Sequence, residues 1–153
     1  MITLAQYLGP YARSASVTPE IMVNAQALLS AVDGVLQAAK SDGVKLHVNP
    51  VTGSFVSGDG NGGFRVPTVA VGAPQSKHKT GHAVDVYDPH RELASWAWRN
   101  RPLVANAGLH IERPEWTPTW VHFQNVAPGS GVFAFIPNNN PPLAAKLPEQ
   151  DAA

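Results

Sequence analysis

With 153 residues, 44% of them hydrophobic, the chain has the size and composition of one globular domain. Eleven basic and eleven acidic side chains cancel, so nothing in the charge balance steers it towards nucleic acid or an anionic membrane. There is no cysteine, which excludes disulfides and thiolate metal sites and leaves His, Asp and Glu as metal ligands. No run reads as long and apolar enough to cross a bilayer, and the first ten residues lack the basic and apolar regions of a secretory signal.

In chain order, the first predicted element is a helix over 19–40. Thr18 suits the N-cap, Pro19 the first helical position, and Glu20 the positive end of the helix dipole. Ile21, Ala25, Leu28, Leu29, Val32, Val35, Leu36 and Ala39 recur at helical spacing and give one core-facing stripe. Gly43 ends the unit. A short strand is expected over 45–48. The Gly-, Ser- and Asp-rich stretch 53–63 reads either as a mobile loop at the rim of a site or as a plain surface loop. Residues 83–87 alternate as a strand, and Asp88-Pro89 is expected to cap a helix over 89–99. A strand over 107–112 puts Leu109 and Ile111 on one face and His110 and Glu112 on the other. A strand over 120–126 puts Val121 and Phe123 opposite Trp120, His122 and Gln124. From 137 onwards Asn and Pro dominate, so 1–136 is expected to be the domain and 137–153 an irregular tail.

The segment Ser76-Lys77-His78-Lys79-Thr80-Gly81-His82-Ala83-Val84-Asp85 carries candidate metal chemistry. Gly81 allows a bend that lets His78 and Asp85 converge. Ala83, on the face of Asp85, leaves room for an ion. His122 arrives from a separate strand, opposite the core residues. Two imidazoles and one carboxylate suit Zn²⁺, and three protein ligands leave a fourth position for water. His78 and His82 are four apart, as in the helical zinc-protease pair, but Lys79 stands where that motif needs Glu. His82 is expected to point away as a solvated histidine, and His47 and His90 have no companions at ligand spacing. Spacing alone leaves open that His78, Asp85 and His122 are unrelated polar residues.

Ser76-x-His78-x-x-Gly81-x-Ala83-x-Asp85, followed by Trp120-Val121-His122, resembles the zinc D-Ala-D-Ala carboxypeptidase family. That family includes L-Ala-D-Glu endopeptidases of phage lysins and shares its fold with hedgehog signalling domains. The stretch from Thr117 to Gln124 is similar to a small phage-encoded branch, and the resemblance runs from about Phe64 to Gln124. It implies that His78, Asp85 and His122 are zinc ligands and that Ser76 helps to orient substrate, a turn hydroxyl being the alternative. It also implies that Arg65 faces substrate, holding a carboxylate or stabilising the oxyanion, although an ordinary surface charge is equally compatible. Many members place an acid three residues before the last histidine, where this chain has Thr119. A threonine cannot serve as the general base, so Glu112 is the first candidate, Glu115 the second and His110 the third.

The expected fold is therefore α+β: an antiparallel sheet with flanking helices and zinc in a cleft on one sheet face. The expected activity is zinc-dependent hydrolysis of an amide bond in peptidoglycan stem peptides, with Glu112 and Arg65 catalytic and with Ser76 and Arg65 binding substrate. A monomer is expected, with no nucleic-acid or membrane partner. Synthesis without a signal fits action on the cell wall after release, or as part of a phage particle. The alternative, favoured by Thr119, is a non-catalytic zinc-containing module of cell-wall binding or phage structure.

Overall fold

A computed structural model describes residues 1–72 and 75–137. The expected irregular tail lies outside the described residues from 138 onwards. The chain begins with a short helix, α1 (Leu4–Leu8), closed by a capping box between Thr3 and Gln6. The long helix α2 (Pro19–Ser41) follows, with the Thr18 hydroxyl accepting from Ile21 N at 3.2 Å, Glu20 in its first turn and Lys40 in its last. Its stripe of Ala25, Leu28, Leu29, Val32, Val35, Leu36 and Ala39 is buried in the core, while Ile21 is half-buried at the edge. Contrary to the expectation from sequence, α2 is long and apolar enough by length and composition to cross a membrane. Its buried stripe here packs against α1 and α3 and shares one hydrophobic core with the sheet.

Four strands make the sheet: β1 (Ala83–Tyr87), β2 (His110–Glu112), β3 (Trp120–Gln124) and β4 (Ala134–Phe135). Their order is β1-β3-β2-β4. β3 runs antiparallel to both β1 and β2, whereas β4 runs parallel to β2. The sheet is therefore mixed rather than antiparallel, because the chain after β3 returns through 125–133 to the far edge. Val84, Val86, Val121, Phe123 and Ile111 share one face and join the α2 stripe. α3 (Glu92–Arg99) adds Leu93, Ala94, Trp96 and Ala97 to the same core, and α4 (Arg101–Asn106) adds Val104. The Tyr7 hydroxyl donates to Ala83 O at 3.0 Å and ties α1 to β1.

Several boundaries differ from expectation for local reasons. Residues 45–48 form no strand. Asn49 directs a turn instead, its side-chain oxygen accepting from Val51 N, its backbone N–H donating to Ser54 O and its carbonyl accepting from Gly53 N. The helix expected from 89 begins at Glu92, because Arg91 has a positive φ of 61°. Asp88 still caps it, its carboxylate accepting from Leu93 N and Ala94 N. The strand expected over 107–112 shrinks to His110–Glu112, since Pro102 is tolerated in the first turn of α4 and Gly108, at φ 80°, turns the chain afterwards. The strand expected over 120–126 ends at Gln124.

The stretch 53–63 is built rather than loose. Ser57 N donates to Asp85 O, Tyr87 N to Phe55 O and Asp85 N to Gly62 O, so this segment covers the outer edge of β1. Gly81 closes the 3-10 turn Lys77–Thr80 at φ 79°, and a Cβ there would lie 2.9 Å from Ile21 O on α2. Both the left-handed backbone and the close approach require glycine. Gly81→Ala is expected to lower stability by about 2 kcal/mol or more. Urea denaturation of the metal-free protein tests this, and an unchanged midpoint would contradict the packing described.

Candidate metal centre

The pairing of the strands assembles the site. Asp85 on β1 stands opposite His122 on β3. The β2–β3 register, with Ile111 opposite Phe123, continues by one residue to bring Glu112 opposite His122. Residues paired across antiparallel strands share a face, so Asp85, His122 and Glu112 form one row on the side away from the apolar core. His78 is added from above by the 3-10 turn Lys77–Thr80, whose cap is Ser76: its hydroxyl accepts from His78 N at 3.3 Å. Ala83, fully buried two residues before Asp85, puts only a methyl group on the same face.

Three ligand atoms converge. His122 Nδ1 lies 2.9 Å from Asp85 Oδ1, His78 Nε2 lies 3.3 Å from the same oxygen, and the two ring nitrogens are 3.3 Å apart. The outward atoms of both rings are fixed by acceptors. His78 Nδ1 is 2.8 Å from Gly63 O, which can only accept, so this nitrogen carries the proton. His122 Nε2 is 2.9 Å from Gln124 Oε1, while the Gln124 amide donates to Val126 O at 2.7 Å. The amide is thereby oriented with its oxygen towards His122, so Nε2 is the proton-bearing nitrogen there. Both neutral rings then aim a lone pair at the carboxylate oxygen. Three lone pairs at this spacing repel one another unless a cation or a proton sits among them. The three residues are 2%, 8% and 5% exposed for His78, Asp85 and His122, so water does not screen that repulsion. The group could hold a metal ion, with its rings oriented by outer hydrogen bonds as metal ligands usually are.

The electrostatics agree. Burial alone would raise the Asp85 carboxyl, but His78 and His122 outweigh it and hold the group well below the usual carboxylate range. Burial lowers the His78 ring despite Asp85. Burial also opposes charge on His122, yet Glu112 and Asp85 prevail and push it up to about 9. Without metal, one proton at His122 Nδ1 stands where the ion would bind. Glu112 Oε1 lies 3.9 Å from that nitrogen, and burial raises the Glu112 carboxyl above its ordinary value.

Arg65 is buried beside the cluster. Its guanidinium donates to Asn61 O at 2.6 Å, to Val71 O at 3.2 Å and to Asp85 Oδ2 at 3.4 Å. It thus orients the carboxylate from behind, leaving two of its five N–H groups. A cleft of about 590 Å³ opens over Arg65 and Asp85, bordered by Asn61, Tyr87, Thr119 and Trp120.

The other sequence candidates fall elsewhere. Ser76 serves the turn that carries His78. Glu115 is buried in a two-pronged pair with Arg113, at 3.0 and 3.2 Å. His110 Nδ1 meets Val132 O at 3.0 Å. His82 meets the Thr80 hydroxyl at 2.8 Å, outside the cluster as expected. His47 and His90, expected to lack companions, face each other with ring centroids 5.0 Å apart; no third ligand joins them among the described residues. Sequence reasoning gave Gln124 no role and did not single out the Gly63 carbonyl. The period-two spacing of His122 and Gln124 was the available signal for the first; nothing local signals the second.

His122→Ala should abolish stoichiometric metal binding. Gln124→Leu should keep the fold but weaken metal affinity by about 10- to 100-fold, as read by competition with a chromophoric chelator. The raised pKa of His122 gives a pH dependence. Below about 9 the ion must displace a proton, so apparent affinity should climb about tenfold per pH unit from 7 to 9 and then level. In the metal-free protein the same proton contributes stability that is complete below about 6.5, the ordinary histidine value, and lost as pH rises through about 9. A flat affinity profile would contradict the assignment of His122 Nδ1 to the cluster.

No protein-family model, curated protein or solved structure matches this chain; the resemblance in the sequence stands on its motif residues alone.

Proposed function

We propose that the protein is a zinc-dependent peptidase that hydrolyses an amide bond in peptidoglycan stem peptides. The observation that carries this reading is the row of Asp85, His122 and Glu112 across three strands, with His78 completing a ligand set beside a basic carboxylate. Zinc suits the donor set of two imidazoles and one carboxylate. A tetrahedral ion with bonds of about 2.0–2.1 Å spaces its ligand atoms by roughly 3.4 Å, close to the 2.9–3.3 Å found between the three donors. When bound, zinc would supply an acidified water and polarise the scissile carbonyl.

The chain's own groups divide the remaining work. Glu112, kept basic by burial, would take a proton from the attacking water and return it to the leaving nitrogen, so that water adds across the amide to give an acid and an amine. Arg65 would hold Asp85 in place through Oδ2, and its two remaining N–H groups would meet the developing oxyanion or a neighbouring carbonyl. The cleft over Arg65 and Asp85 would admit the peptide, between the segment around Asn61 and the Thr119–Trp120 edge. The stem peptide as substrate rests on the motif resemblance, as does an origin in phage lysis or a phage particle and action at the cell wall.

A non-catalytic zinc module is the second reading. It is favoured by Thr119, an exposed residue of the cleft border where related motifs carry an acid.

The two readings separate on purified peptidoglycan analysed by mass spectrometry. Chelator-sensitive release of D-Ala or of cleaved stem peptides is expected, and none from a zinc-saturated protein would defeat the peptidase. Glu112→Gln should lower kcat by about 100- to 10,000-fold while retaining stoichiometric zinc. Undiminished turnover in that variant would remove Glu112 from the proton transfer.

A further inference from the structure

A second cavity, of about 410 Å³, lies against α1 and is bordered by Ala5, Gln6, Pro10 and Thr52. It is not an isolated void. Val51 and Asp59 border both this cavity and the cleft over Arg65 and Asp85. Val51 is 69% exposed, a large apolar side chain standing in solvent on the ridge between the two. Among the described residues, Asp59 is the only acidic or basic side chain on the border of the second cavity. The other charged residues described on the border of the cleft, Arg65 and Asp85, lie 3.4 Å from each other.

We propose that this cavity is a distal subsite for the same peptide chain whose amide is presented at the metal centre, and that it takes a neutral or ammonium-bearing residue. The inference rests on the peptidase reading and deepens it, since it names which substrates that site prefers. An extended chain leaving the cleft over Val51 runs directly into the cavity. Val51 then loses exposed apolar surface, a favourable change that a dipeptide cannot bring about. A free carboxylate entering there meets Asp59 with no basic partner among the described residues of the cavity border, and like charge disfavours it. The enzyme therefore acts within extended chains in preference to trimming terminal dipeptides.

The walls of the cavity are held by tight packing. A Cβ on Gly63 would lie 2.0 Å from Tyr7 O, and one on Gly60 would lie 3.1 Å from the Pro10 ring. The glycine-rich segment thus sits against α1 without intervening side chains. Ala5 is exposed on α1 and can be enlarged without entering the core.

The test compares a peptidoglycan stem pentapeptide with a capped dipeptide containing only the scissile bond. For the zinc-loaded protein, kcat/KM for the pentapeptide is expected to exceed that for the dipeptide by about tenfold or more. Ala5→Trp should reduce this ratio towards one, and a pentapeptide whose distal residue is made acidic should lose most of its advantage. Equal rate constants for the two wild-type substrates, or an unchanged ratio in Ala5→Trp, would overturn the subsite. Binding of both peptides to zinc-loaded Glu112→Gln, followed by calorimetry, decides the matter independently of turnover. Tighter pentapeptide binding that Ala5→Trp abolishes supports the subsite even if no substrate is cut, and equal binding refutes it.

Discussion

Everything at the centre depends on the pleat of the sheet. Side chains alternate between faces along a strand, so one register sends Val84, Val86, Val121, Phe123 and Ile111 into the core and turns Asp85, His122 and Glu112 to the other side. A slip of one residue would exchange the two sets, burying three ionisable groups against α2 and placing the apolar residues in the cleft. The hydrophobic face therefore fixes the geometry of the polar one. The same constraint explains how a short β2 of three residues suffices: Ile111 anchors it in the core, and Glu112 follows as a consequence.

On that scaffold the site is completed by backbone as much as by side chains. The carbonyls of Gly63 and Val126 set which nitrogen of each histidine carries its proton, directly for His78 and through Gln124 for His122. Asn61 and Val71 carbonyls hold Arg65, which in turn holds Asp85. Apart from Val126 and Val71, these carbonyls lie on the segment 53–65, whose irregular course is pinned by pairing to β1 and by the close approach of Gly63 to Tyr7 on α1. The result is a cluster of lone pairs that is costly without a cation or a proton, held on the sheet face opposite the hydrophobic core.

Much of this was legible in the sequence. The α2 stripe and the β1 and β3 alternation follow from periodicity, and the His78–Asp85–His122 set, which spacing alone left open, from the resemblance of its motif. Glu112 was legible as well, through its position on the face opposite Ile111. What was not legible depended on competition between local signals or on distant pairing. Asn49 overrode the strand expected over 45–48 by bonding to its own turn. The six residues Arg101–Asn106 became a helix because Pro102 is harmless in a first turn. β4 joined in parallel to β2, a pairing across more than twenty residues that no local pattern announces. Arg65 was expected either to face substrate or to be an ordinary surface charge; it is buried, and its hold on Asp85 comes from loop geometry alone.

The central claim is that His78 Nε2, Asp85 Oδ1 and His122 Nδ1 bind one ion together. X-ray absorption at the zinc K-edge on the zinc-loaded protein tests it most directly. The account predicts two imidazole nitrogens, one carboxylate oxygen and one further light atom at about 2.0–2.2 Å. A shell of oxygens alone, or a single imidazole, would contradict it.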